Sequence, residues 1–136
     1  MLEHERWLMI VKEDLAVAKL LLKGEYFSSV TYHSQQAAEK ALKAFLVFKD
    51  RPIIKTHNLL KLLELCIAID RDFQKQLDAA DYVNPFSTKF RYPDEFSIPD
   101  LQAAKLAIKH AQSIVTFVNK KIAAPGTKDQ RGIFED

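Results

Sequence analysis

The chain has one cysteine, Cys66, so it can form neither an internal disulfide nor a cysteine-based metal site. Its three glycines and five prolines are too little turn chemistry for a fold built on tight β-hairpins. No apolar run approaches the roughly 18 residues of a membrane span. The N-terminal MLEHERW carries acidic residues ahead of the first apolar stretch, which is not the pattern of a secretory signal. Net charge is scarce too: 20 lysines and arginines face 18 aspartates and glutamates, and a formal +2 is too small for a bulk nucleic-acid coat. What remains, 48% hydrophobic and 28% charged among 136 residues, is the profile of a single helical domain expected in the cytoplasm.

The small net charge conceals an uneven distribution. Residues 40–61 carry six lysines and arginines against one aspartate, whereas residues 64–81 carry five acids against two bases. Basic and acidic poles of one bundle are the expected consequence, with the basic pole the place to look for a ligand and the acidic one a counterpart in a dimer or a repeller of misplaced phosphates.

Hydrophobic periodicity predicts about five helices. The first runs from about Glu3 to Lys23, with Leu8, Val11, Leu15, Ala18 and Leu22 on one face, Ile10 and Leu21 widening it, and Gly24 as a left-handed cap. The second spans about Tyr26 to Asp50 and is ended by Pro52. Val30, Ala37, Ala41, Phe45 and Phe48 form one apolar line on it, and Phe27, Ala38, Leu42 and Leu46 another. Its opposite face reads Ser29, His33, Gln36, Lys40 and Lys43. A third, largely buried helix follows Thr56, the expected cap. A short one follows Asp70 to about Tyr82. Asn84 to Phe96 is the one long irregular segment, and such loops often carry function. The last helix begins at Ser97-Ile98-Pro99-Asp100, a capping-box pattern, and holds an apolar face from Leu101 to Ile122. The expected fold is all-α, an antiparallel up-and-down bundle over residues 1–122, with residues 123–136 a flexible C-terminal tail.

Three strings then stand out in order: YHSQQAAEKALKAFL (Tyr32–Leu46), KTHNLLKLL (Lys55–Leu63) and KFRYPD (Lys89–Asp94). Together, on a helical bundle, they resemble the HEPN family over roughly residues 5–122. That resemblance implies a bundle of roughly four to five helices that commonly dimerises. It implies a protein often encoded beside a minimal nucleotidyltransferase, with which it forms a toxin–antitoxin-like pair. Some members are metal-independent ribonucleases with an Arg and a His roughly four to six residues apart; others lack the pair and bind nucleotides or partners.

Three sets of residues are candidates. Arg51 and His57, separated by five residues, fit the ribonuclease spacing. The histidine could move a ribose 2′-hydroxyl proton and the arginine could hold phosphate charge. For that chemistry both must open onto one cleft. Here Pro52 follows the arginine, where ribonuclease relatives usually have a polar residue, and the pair lies ahead of the motif's usual position. The plain structural alternative is a solvated Arg51 and a His57 that supports a helix start.

The second set is Lys89, Arg91, Tyr92 and Asp94, a mix of forked donor, stacking face and acceptor suited to a phosphate and a ring. Its alternative has Phe90 and Tyr92 plugging the bundle and Arg91 paired with Asp94. The third is the second-helix stripe, His33, Gln36 and Lys40 foremost, with Lys55 beyond it, either a solvated face or a polar groove facing the KFRYPD loop. Glu39 and Lys43 are four apart in the order that supports a helix. No metal-ligand spacing, P-loop or nucleophile motif is present, so no metal and no cofactor is expected.

The leading expectation is a nucleotide- or RNA-binding interaction protein that pairs with a minimal nucleotidyltransferase and forms a homodimer. A ribonuclease using Arg51 and His57, assembled across a dimer, and a plain dimerisation module are the alternatives.

Overall fold

The computed structural model describes residues 1–92 and 98–124. Among these the chain forms five α-helices: α1 (Glu3–Lys23), α2 (Phe27–Phe48), α3 (Leu59–Ile69), α4 (Leu77–Val83) and α5 (Leu101–Ala123). Two 3₁₀ turns, Arg71–Gln76 and Asn84–Ser87, precede and follow α4. The all-helical bundle expected from periodicity is the one found. None of these helices is long and apolar enough to cross a membrane.

Helix α2 is the axis of the bundle, and 14 of its 22 residues are buried. Both of its apolar lines explain this: Val30, Ala37, Ala41 and Phe45 are fully buried, as are Ala38 and Leu42 beside them. Each fully buried Leu or Phe contributes about 1.5–3 kcal/mol, and the alanines let neighbouring helices approach closely. Helix α1 lies antiparallel to α2, with His4 meeting Phe48 at one end and Asp14 meeting Lys40 midway. Helix α5 runs alongside α2 in the same sense. The start of α2 and the segment leading into α5 line one cavity through Phe27 and Ile98, and Phe45 and Phe117 both meet Phe73. Phe73 comes from the first 3₁₀ turn and fills the end of the bundle.

Several local expectations are corrected. Gly24 is not left-handed: its φ is −85°, and the left-handed residue is Glu25, φ 64°. The amide of Tyr26 donates to Leu21 and that of Glu25 to Leu22, which closes α1 in a Schellman turn with a glutamate in the glycine position. Gly24 has a different reason to be glycine. A Cβ there would stand 2.6 Å from the Tyr26 ring. The cap of α3 is Asn58 rather than Thr56: its side chain accepts from the amides of Leu60 and Lys61, while the Thr56 hydroxyl accepts from the Asn58 amide. Asp100 itself caps α5 by accepting from the Ala103 amide, and Ser97 lies outside the described residues. Ile10 and Leu101 are exposed, because the buried arcs of α1 and α5 are narrower at those points than their apolar content suggests. Part of the segment expected to be irregular is the 3₁₀ turn 84–87, tied to α3 by the Leu59 amide donating to Asn84 Oδ1 at 2.7 Å. Helix α5 continues to Ala123, and residues 125–136 of the expected tail lie outside the described residues.

The acidic pole is partly spent inside the fold. Lys121 near the end of α5 reaches both Asp70 and Asp72, at 2.8 Å each. The hydrogen bond from Lys121 holds the Asp72 carboxyl below its ordinary range, and the bonds to Asp70 and Asp72 raise the Lys121 ammonium above its own. The tie is therefore present above the ordinary aspartate pKa and lost as pH falls through the lowered Asp72 value. On the alkaline side it is lost as pH rises through the raised Lys121 value. Cys66 is packing: burial pushes its thiol up to about 12, well away from reactivity.

The left-handed glutamate makes a direct prediction. Glu25→Gly removes the backbone penalty that an L residue carries at φ 64° and should raise stability by about 0.5–1 kcal/mol, read as a higher urea midpoint with an unchanged slope. A lower midpoint would mean that the Glu25 side chain contributes more than the strain it causes.

Candidate functional site on helix α2

The polar residues of α2 divide between two carboxylates. Asp14, projecting from α1 and nearly buried, accepts from Lys40 Nζ at 2.9 Å and from His33 Nδ1 at 3.2 Å. Glu39, within α2 itself and 3% exposed, accepts from Lys43 Nζ at 2.9 Å, His57 Nδ1 at 2.9 Å and Gln35 Nε2 at 3.3 Å. Gln35 also donates to the His57 carbonyl at 3.1 Å, so the α2–α3 connection is fastened to α2 by backbone as well as ring. Gln36 donates to Gln35 Oε1 at 2.8 Å and completes a buried amide pair.

This corrects the reading of the stripe as a solvated face. Lys43 and Gln36 are buried, His33 and Lys40 are half-buried, and of the five only Ser29 is exposed. The cause is the placement of α1 and the 51–58 connection against this side of α2. It also means that Lys40 and Lys43 are neutralised where they stand. The basic pole of the sequence is consequently smaller in space, and Lys49, Arg51, Lys55 and Lys61 are its exposed members.

A carboxylate only accepts, so the bond to Glu39 requires the hydrogen of His57 to sit on Nδ1 when the ring is neutral. The His57 side chain is 70% exposed, which leaves Nε2 facing solvent with a free lone pair. Glu39 thus fixes both the tautomer and the orientation of an outward-facing histidine.

Two turns earlier on α2, Tyr32 meets the second candidate segment. The chain leaves α4 through Phe86, which is buried and stacks on Phe90 with ring centroids 5.8 Å apart. Phe90 has φ 69°, a conformation in which a bulky residue is strained. Past this bend, Arg91 lies with its guanidinium carbon 3.9 Å from the centroid of the Tyr32 ring. Lys89 lies over the Phe90 ring at 4.9 Å, and Tyr92 is 63% exposed. Phe90 packs on the core as its structural alternative holds, but Tyr92 does not. Asp94 lies outside the described residues.

The structure therefore brings Arg91, Tyr32, the Gln35–Gln36 pair, Glu39 and His57 onto one side of α2. It does not add Arg51 to them. Its guanidinium donates to the Lys49 carbonyl at 3.0 Å, and it lines a cavity with Leu46, Pro52, Ile54 and Lys61, while His57 leans on Glu39. Lys55 is exposed on the connection between them. Sequence reasoning passed over Asp14, Tyr32 and Gln35 and read Glu39 only as a helix-stabilising neighbour of Lys43. A signal existed: Gln35 and Glu39 stand on the same helical side as Leu42 and Leu46, polar residues that a buried face tolerates only with partners. Among the described residues no group of three or more His, Cys, Asp or Glu is placed to hold a metal.

Residues 4–121 match the family model of the HEPN domain. The chain belongs to the HEPN family. This HEPN fold is similar to that of ST0689, an archaeal HEPN homologue, with a TM-score of 0.73 and 26% identity over 90% of this chain and 99% of that one. It is equally similar to TT1696 from Thermus thermophilus, with a TM-score of 0.75 and 26% identity over 89% and 99% of the two chains. A stretch of 36 residues is 56% identical to a Methanocaldococcus jannaschii protein named "Putative toxin MJ1304". That stretch is 26% of this HEPN chain and only 24% of the relative's length.

The Glu39 network predicts a large and specific energetic effect. Glu39→Leu strands the Lys43 ammonium in a buried position and should cost about 3–5 kcal/mol in chemical denaturation. The double variant Glu39→Leu/Lys43→Met should recover most of that loss. A cost below about 0.5 kcal/mol for the single variant, the size of an exposed i,i+4 pair, would show that the network is not buried in solution.

Proposed function

We propose that this HEPN protein is a nucleotide- or RNA-binding interaction component of a toxin–antitoxin-like system, that it pairs with a minimal nucleotidyltransferase, and that it works as a cytoplasmic homodimer without a cofactor. The observation that carries the reading is the alignment of Arg91 and His57 along α2. Arg91 sits over Tyr32 and His57 on Glu39, seven residues further on, so their anchor points are about 10 Å apart along the helix. A forked donor held on an aromatic ring and a histidine with a free nitrogen are groups that receive a phosphate and a sugar hydroxyl or base edge, while the buried Gln35–Gln36 pair between them holds His57 and Glu39 in place. The likeness to the Methanocaldococcus jannaschii protein supports the toxin–antitoxin-like setting.

One observation favours the ribonuclease alternative: a carboxylate-held histidine with Nε2 outward is what a general base requires. Against it, Arg51 takes its own contacts away from His57, so one chain does not assemble the expected pair. Non-catalytic binding is the reading the geometry supports better.

Co-expression with a minimal nucleotidyltransferase from the same genome tests the proposal. The two should co-purify, and Arg91→Ala should weaken the complex, or its capture of a nucleotide, without unfolding the bundle. Two folded proteins that form no complex at micromolar concentration would overturn the pairing. Cleavage of RNA in EDTA that is lost in His57→Ala would establish the enzyme instead.

A further inference from the structure

Arg51 belongs to a site of its own. Helix α2 ends in a second Schellman turn: the Arg51 amide donates to the Leu46 carbonyl at 2.8 Å and the Asp50 amide to Val47 at 2.9 Å, with Asp50 left-handed at φ 57°. From Pro52 the chain continues without regular structure to the start of α3. Helix α3 returns beside it with Lys61, Leu65, Ala68 and Ile69 on one side, at helical spacing. Between turn, connection and helix lies a cavity of about 350 Å³.

The lining of this cavity is specific in kind. Leu46, Pro52, Ile54, Leu65, Ala68 and Ile69 are apolar, and the only charged groups among its lining residues are Arg51 and Lys61. Both cations are available. Arg51 Nη1 donates to the Lys49 carbonyl, which leaves the other guanidinium N–H groups uncommitted by that bond. Lys61 stands 3.6 Å from Glu64, both of them well exposed, a pair that costs little to exchange. Two cations at an apolar cavity select an anion. The apolar walls select against a nucleoside polyphosphate, whose charges would be desolvated without enough partners. The volume lies at the small end of ligand sites and suits one bulky apolar group.

We propose that this cavity binds an amphipathic organic monoanion, a carboxylate on an apolar body of roughly six to ten carbons. Arg51 receives the carboxylate in its fork, Lys61 adds the second charge, and the chain or ring lies against Leu46, Leu65 and Ile69. The site is separate from the α2 face and does not depend on the role assigned to that face.

Octanoate is the probe, titrated into the full chain and followed by amide NMR shifts and calorimetry. Saturable binding is expected, with shifts concentrated in residues 46–69. Octanol, which lacks the charge, and acetate, which lacks the body, should each bind at least about tenfold more weakly. Arg51→Gln should weaken octanoate to the level of octanol, and Ala68→Leu should block the cavity from within a helix that tolerates leucine well. The proposal is overturned if octanoate does not saturate, if it binds no better than octanol, or if its shifts fall outside residues 46–69. Undiminished binding to the folded Ala68→Leu variant overturns it as well.

Discussion

A buried carboxylate is costly unless hydrogen-bond donors meet it, and the organisation of this protein follows from how Glu39 is supplied with them. Its donors come from one turn before it, one turn after it and the connection to the next helix: Gln35, Lys43 and His57. The first two are fixed by helical spacing alone. The third is not local. It obliges residues 51–58 to cross the polar side of α2 instead of swinging free, and thereby sets where α3 begins. A polar requirement on one helix thus becomes a constraint on topology.

Asp14 repeats the device one helix away, drawing Lys40 and His33 toward α1. Between them the two acids account for the sharing of charge across the molecule. Lysines that look free in the sequence are internal counter-ions, and the same holds for Lys121 against Asp70 and Asp72. Arg91 beyond the strained Phe90 and Arg51 at the end of α2 stand outside these internal pairs, as do exposed lysines such as Lys49, Lys55 and Lys61.

Much of the fold was legible because helical periodicity is a local property. Val11, Leu15 and Ala18, or Ala111, Val115 and Val118, announce their buried faces within a few turns. Helix ends were less so: Asn58 and Thr56 are equally good caps until the hydrogen bonds decide, and the left-handed position at the end of α1 falls on Glu25 although residue preference points to Gly24. The site was legible in its pieces but not in its pairing. His57 and Arg91 were singled out by residue type, yet nothing in the chain says that one will find Glu39 and the other Tyr32, because those meetings join residues 18 and 59 positions apart. Arg51 and His57 show the reverse, neighbours in sequence that take different partners once the Schellman turn and Pro52 redirect the chain between them.

The central claim is that Glu39 holds His57 by Nδ1 and presents Nε2 outward. Nitrogen-15 NMR of the His57 ring, recorded well above the ordinary imidazole pKa, tests it most directly. The account predicts a protonated Nδ1 and a bare Nε2, the tautomer opposite to that favoured by free histidine, with the preference lost in Glu39→Gln. A ring protonated at Nε2 in the unaltered protein, or a tautomer indifferent to Glu39→Gln, would contradict it.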